Sequence, residues 1–242
     1  MPEQDNQKLA ADLVKSLGLQ HPPLAIHFSQ EALPGVEPFD DEMPAATADG
    51  RTGRVPAGCV FWMKAEGRTF STVAEDHANC SVGSVTHGFR SLDEVGDKSD
   101  VSALVGAGWV APEIFPEIPV IKGRYKYVTY GPLQDAGQTP DVVFLRINAK
   151  QAMTISDAFP DMHFEGKPQC HIIAIAKEQH EVAVSVGCML SRVRTGMPNT
   201  EMTCAIPGVR LAEVVQQIKT TTVIDGTVAN YAGEDTRRFE KR

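Results

Sequence analysis

Five cysteines are the residues of this 242-residue chain best suited to chemistry, and four of them form two widely spaced pairs. Cys59 and Cys80 bound one stretch, and Cys170 and Cys188 bound another. Each stretch opens on an apolar segment, passes through a charged turn and returns as a strand to its second cysteine. Because thiolates are soft ligands that select zinc, copper(I) and iron–sulfur clusters, the pattern predicts a thiolate metal site. Cys204, inside an apolar strand, is predicted to be a core residue.

Four thiolates can hold either one tetranuclear (4Fe-4S) cluster or one tetrahedral zinc ion. Structural zinc usually takes its cysteines from tight C-x₂₋₄-C knuckles, which this sequence lacks. An iron–sulfur cluster is therefore the first expectation, and zinc or another thiophilic metal is the alternative. Two hypotheses without a metal stay open: buried cysteines that only fill the core, and thiol redox chemistry.

Two histidines and one arginine lie close to these cysteines in sequence. His77 precedes Cys80 by three residues and His171 follows Cys170, so either imidazole could ligate a metal or move a proton. Arg192 comes four residues after Cys188 and would share its helix face, where the planar guanidinium could bind an anionic substrate. We expect His77 and Arg192 to act in catalysis. The sequence contains no dinucleotide fingerprint, P-loop, G-x-S-x-G elbow or H-E-x-x-H motif.

The segments that must position these residues alternate irregularly between helix and strand. Apolar periodicity predicts helices over 7–17, 59–65, 149–159 and 209–218, and strands over 24–28, 68–73, 125–130, 142–147, 181–186 and 201–206. Residues 30–56, rich in Pro, Gly and acidic side chains, are predicted to form a long loop. Because this order lacks the regular rhythm of a doubly wound sheet, the predicted class is α+β.

The two stretches bounded by cysteines are similar enough to suggest a duplicated unit. We therefore expect one domain over residues 1–242, made of two pseudo-symmetric α/β half-units, 1–130 and 131–242, packed together. Four thiols would then converge near the axis that relates the halves.

The net charge of −8 argues against a nucleic-acid partner, since phosphate binding requires a clustered basic surface. No apolar run approaches the roughly 20 residues of a membrane span. The polar N-terminus lacks the layout of a secretory signal, so a cytoplasmic location is expected, where thiols stay reduced. The expected partner is a small-molecule substrate or a redox partner, and a homo-oligomer is left open.

Several short motifs resemble those of the uncharacterised DUF169 family over nearly the whole chain. The most specific is Gly187-Cys188-Met189-Leu190-Ser191-Arg192, followed by Glu201 and Ile206-Pro207-Gly208. The others are Leu17-Gly18-Leu19 with Pro22-Pro23-Leu24-Ala25-Ile26, the Cys59 segment with Gly67, the Cys80 turn, and Pro140-Asp141-Val142-Val143.

The resemblance implies that Cys59, Cys80, Cys170 and Cys188 are the site cysteines and that Cys204 has no counterpart. It implies no established reaction. We therefore expect an iron–sulfur enzyme that acts on a small molecule, by lyase or desulfuration chemistry if one iron stays open, or an electron-transfer protein. The alternative is a non-enzymatic protein that binds zinc or another thiophilic metal.

Overall fold

A computed structural model describes residues 5–40, 58–96, 99–166 and 168–240. The helices in these ranges are α1 (Asn6–Leu17), α2 (Cys59–Lys64), α3 (Ser81–Thr86), α4 (Leu92–Val95), α5 (Ser99–Gly106), α6 (Ala149–Ala158), α7 (His171–Gln179), α8 (Met189–Thr195) and α9 (Leu211–Phe239). The strands are β1 (Leu24–Ser29), β2 (Phe70–Thr72), β3 (Tyr127–Pro132), β4 (Val142–Asn148), β5 (His163–Glu165), β6 (Ala183–Ser185) and β7 (Glu201–Pro207).

The seven strands form one mixed sheet in the order β2-β3-β1-β4-β7-β6-β5. Neighbouring strands are antiparallel, except for the parallel pair β5 and β6 at one edge. β1 and β4 lie side by side in the middle, where Leu24 faces Phe144 and Ile26 faces Val142. The prediction of an α+β fold is therefore confirmed.

Helices cover both faces of the sheet. Since successive side chains of a strand point to opposite faces, Leu24 and Ile26 pack with α2 and α7, whereas Ala25 packs with α1, α6 and α9. The same alternation separates the cysteines. Cys59 and Cys170 belong to the cluster of α2 and α7, and Cys204 on β7 belongs to the cluster on the other face.

In sheet order the first three strands of the chain read β2-β3-β1, and the remaining four read β4-β7-β6-β5. The division into pseudo-symmetric halves 1–130 and 131–242 stays a prediction, and its boundary falls inside β3 (Tyr127–Pro132).

Local signals placed most elements within a few residues of their observed bounds. Asn148 caps α6 as predicted: its Oδ1 accepts from the Gln151 backbone N–H at 3.0 Å, and Gln151 Oε1 accepts from the Asn148 N–H at 2.8 Å. Helix α9 continues far past the predicted end at residue 218. Its outer part buries little, so no apolar period marks it: Val223, Val228 and Tyr231 are exposed.

Residues 30–40 contain no regular element apart from an isolated bridge between Pro38 and Ser71. The rest of the predicted long loop, up to residue 56, lies outside the described residues. No helix within the described ranges has both the length and the apolar character needed to cross a bilayer.

Asp141 joins three segments of the fold. Its Oδ2 accepts from the backbone N–H of Phe28 at 2.8 Å, and its Oδ1 accepts from Lys177 Nζ at 2.6 Å. Its carbonyl accepts from the Gly208 N–H at 2.9 Å. A Cβ at Gly208 would lie 1.7 Å from the carbonyl oxygen of Pro140, so only glycine fits there. The Pro140-Asp141 and Pro207-Gly208 motifs therefore hold β1, β4, β7 and α7 together.

Candidate metal centre

One pocket is lined by all four cysteines that the sequence singled out: Cys59, Cys80, Cys170 and Cys188. Each lies where a helix begins. Cys59 is the first residue of α2, and the other three directly precede α3, α7 and α8. We call this the thiol pocket. The fifth cysteine, Cys204, lies on the opposite face of the sheet.

The start of a helix supplies backbone N–H groups that have no partner within the helix. At Cys80 one of these is used, because Sγ accepts from the Gly83 N–H at 3.4 Å. Such a bond favours negative charge on the sulfur. The backbone around Cys80 is therefore suited to a thiolate.

Burial holds two of the thiols in their neutral form. It raises the pKa of Cys59 to about 12; Cys80 and Cys188 add to the rise, while a hydrogen bond from Ser191 and the charge of Arg194 oppose it. Burial, with help from Cys80 and Cys188, raises the pKa of Cys170 well above its ordinary value. Reactive redox thiols have lowered pKa values, so Cys59 and Cys170 do not have this property.

Helix α8 ties the surroundings of the cysteines together. Ser191 Oγ accepts from Gln169 Nε2 at 2.7 Å, and Gln169 is the residue before Cys170. Arg194 Nη2 donates to the carbonyl of Asn79, the residue before Cys80, at 3.4 Å. Helix α8 therefore holds the segments that precede Cys80 and Cys170. The charge of its Arg194 also interacts with Cys59.

Four residues that line the thiol pocket have a buried polar atom without a partner in the described part of the chain: Trp62, His87, Gln169 and Arg194. Sequence reasoning did not select any of them. Arg194 Nη1 is buried and finds no partner within the described part of the chain. His87 Nδ1 donates to the Gly83 carbonyl at 2.8 Å, which leaves an unpaired lone pair on Nε2. Burial lowers the pKa of His87 to about 4, so the ring is neutral. The pocket thus offers a half-buried cation and an imidazole nitrogen beside the thiols.

Arg192 and His77, the two residues expected in catalysis, are not among the described residues that line the thiol pocket. The Arg192 guanidinium donates to three backbone carbonyls: Pro198, and Val186 and Glu201 at 2.8 Å each. It therefore fixes the chain on either side of α8. The catalytic role of Arg192 and His77 stays a prediction, and their positions outside the lining of the thiol pocket do not favour it.

His77 is fully buried between aromatic rings. Its Nε2 donates to Thr72 Oγ1 at 3.0 Å, since that hydroxyl gives its own proton to the Val128 carbonyl. Burial, and then His87, lowers its pKa well below the ordinary value. A Cβ at Gly58 would lie 3.0 Å from His77 Nδ1, so the ring supports the start of α2 just before Cys59.

The donor set of the thiol pocket consists of four thiols. Tetrahedral zinc at a Zn–S distance of about 2.3 Å needs its sulfurs about 3.8 Å apart. Among the described residues, no three His, Cys, Asp or Glu side chains are grouped so that they could hold one metal ion. Cys59, Cys80, Cys170 and Cys188 are the residues that would hold a thiophilic metal or a cluster in this pocket.

The fold and the site define an α+β protein with a buried pocket of four thiols between a sheet and its helices. The chain belongs to the DUF169 family, described as uncharacterised ArCR, whose model matches residues 12–217. No curated protein and no solved structure matches the chain.

Proposed function

We propose that this protein binds one 4Fe-4S cluster in the pocket lined by Cys59, Cys80, Cys170 and Cys188, with at least three of these cysteines as ligands, and is an enzyme acting on a small molecule. The observation that carries the proposal is that four cysteines, distant in sequence, line a single buried pocket. Thiolates are the ligands that such clusters take. Cys170 and Cys188 are buried and Cys59 and Cys80 are half-buried, and all four lie at the start of a helix.

The charges around the thiol pocket match a bound anionic group. A cluster with four thiolates carries net negative charge, and burial of net charge is costly unless it is compensated. Arg194 is half-buried and has one buried nitrogen, Nη1, without a partner in the described part of the chain, and the Gly83 N–H donates to the Cys80 sulfur. Ser191 adds a hydroxyl next to Cys59.

The cysteines differ in how readily they would bind. The Cys170 thiol donates to Thr86 Oγ1 at 3.9 Å, and its pKa is raised well above the ordinary value. It is therefore a thiol that is costly to ionise and the best candidate for the position that stays free. A cluster with three protein ligands supplies an open iron as a Lewis acid, which supports lyase or desulfuration chemistry; with four ligands, electron transfer is supported.

Binding of zinc or another thiophilic metal without catalysis is the second candidate, and it rests on the same four thiols. It requires the sulfurs to draw together around one ion. It therefore predicts one zinc per chain, no acid-labile sulfide, and a change in the backbone around the pocket on metal binding.

The deciding experiment is anaerobic purification followed by iron, sulfide and zinc analysis. We expect about four irons and four sulfides per chain. The Cys59→Ser, Cys80→Ser and Cys188→Ser variants should lose most of this iron, Cys170→Ser should retain a cluster, and Cys204→Ser should match the wild type. Protein without iron and sulfide, or equal losses in all five variants, would refute the proposal. Stoichiometric zinc without sulfide would establish the alternative.

A further inference from the structure

A second pocket shares a wall with the thiol pocket. Val82, Trp109 and Pro168 line both. Most of the remaining lining is formed by apolar side chains of α3, α4, α5 and the segment after α5, among them Val85, Val95 and Leu104. Ser81 and His171 also line it. Apart from the ring of His171, the described residues that line it carry no ionisable side chain. We call it the apolar pocket.

His171 is the polar group of the apolar pocket that has an open hydrogen-bonding position. The residue is 5% exposed and begins α7, directly after Cys170. Its Nδ1 lies 3.4 Å from Glu165 Oε2, and the other oxygen of that carboxylate lies 2.7 Å from His163 Nε2. A carboxylate can only accept, so Nδ1 carries the proton and Nε2 is left with a lone pair.

The surroundings of the Nε2 lone pair are apolar. Nε2 is buried and has no hydrogen-bond partner in the described part of the chain. An unpaired buried acceptor destabilises a fold, whereas a ligand that donates to it recovers the loss. The Glu165 carboxylate orients the ring, so the acceptor is fixed before any ligand arrives.

We propose that the apolar pocket binds a small neutral molecule with an apolar body and a hydroxyl or thiol that donates to His171 Nε2. A charged head group would be buried without a counterion and is therefore disfavoured. The body of the ligand would run along Trp109, toward the thiols. The interpretation of the bound molecule as the substrate rests on the proposed function. Binding of the molecule in the apolar pocket does not require a cluster.

Phenol and anisole test the proposal as a matched pair of probes, because the methyl ether keeps the ring and loses the donor. Calorimetry on the full-length protein, both as purified anaerobically and after metal removal, should show phenol binding about fivefold tighter than anisole. The His171→Phe variant should abolish this preference. The Leu104→Trp variant should weaken both ligands by at least tenfold, because the indole fills the pocket.

Controls keep folding and metal content apart from binding. His180→Asn removes a histidine outside the apolar pocket, at a left-handed backbone position that asparagine tolerates, and should bind both probes like the wild type. Thermal unfolding and iron content should be unchanged in Leu104→Trp. The proposal is overturned if the wild type binds neither probe, if His171→Phe keeps the preference for phenol, or if Leu104→Trp binds both normally. Protein that is already free of iron when purified anaerobically and still prefers phenol would refute only the cluster.

Discussion

Cys170 and Cys204 are both buried, yet they lie on opposite faces of the same sheet. Cys170 packs with α2 and α7 and lines the thiol pocket, whereas Cys204, on β7, packs with the helices of the other face. Burial alone raises the pKa of Cys204 to about 12, whereas neighbouring thiols contribute to the rise at Cys170. Cys204 can therefore serve as the control in experiments on the cysteines of the thiol pocket.

Replacing Cys204 by alanine should make the stability of the metal-free protein less sensitive to alkaline pH. The Cys204 thiol ionises near its ordinary value of 9.0 when unfolded and near 12 when folded. Between these values the unfolded chain binds fewer protons, so the free energy of unfolding falls as pH rises, by about 1.4 kcal/mol per pH unit for this group. Urea unfolding of both proteins at pH 8 to 11 measures the difference. If the free energies of unfolding of the two proteins change in parallel with pH, the raised pKa of Cys204 is contradicted.

Metal uptake by the metal-free protein should strengthen as pH rises. The pKa of Cys59 is raised to about 12, so this thiol is protonated at neutral pH and must lose its proton on binding. For each proton released, the affinity for Co²⁺, used as a spectroscopic probe, should increase about tenfold per pH unit. Calorimetry in two buffers counts the protons. Affinity that is constant from pH 6 to 8 would mean that the thiols are already ionised.

The two arginines of α8 should respond differently to substitution by glutamine. Arg194→Gln removes the cation that lowers the pKa of Cys59, so it should leave the fold stable and lower the reduction potential of a bound cluster. Arg192→Gln removes bonds to three backbone carbonyls and should reduce the free energy of unfolding by about 2 kcal/mol. Electrochemistry and urea unfolding of both variants separate the two roles; identical effects would remove the distinction.

Arg146 should be the most costly arginine to truncate. It is 7% exposed, holds both oxygens of Glu201 and also pairs with Glu66. Arg146→Ala leaves these acidic groups without a partner and should cost about 3–5 kcal/mol of unfolding free energy. Arg210→Ala breaks a bidentate pair with exposed Glu213 and should cost less than about 1 kcal/mol. Comparable losses in urea unfolding would show that burial does not control this energy.

Sequence patterns identified most elements because their apolar periods reflect burial. They failed where a turn signal lies inside a strand. Gly131-Pro132 and Pro207 were expected to end strands, yet all three residues belong to β3 or β7. Gly131 pairs with Ala25, and a Cβ there would lie 2.2 Å from Thr69 Oγ1, so the glycine serves close packing and not a turn.

The cysteines of the thiol pocket could be singled out from their types and spacing, but their neighbours could not. Arg192 was selected on the assumption that Cys188 is part of a helix. Cys188 is instead the extended residue before α8, so the helix-face rule does not apply to it. The face of α8 that lines the pocket runs through Leu190, Ser191 and Arg194. The position of His87 depends on the packing of α3, which no local pattern reveals.

The join between β1 and β4 is the shortest of the central strand pairings. Only Leu24 to Ile26 pair across it, whereas β1 pairs with β3 over its whole length. In the chain, Cys59 and Cys80 lie between β1 and β4, and Cys170 and Cys188 follow β4. A group bound by cysteines from both segments would thus link two parts of the sheet. Its removal should appear first as faster amide hydrogen exchange in β1, long before the protein unfolds.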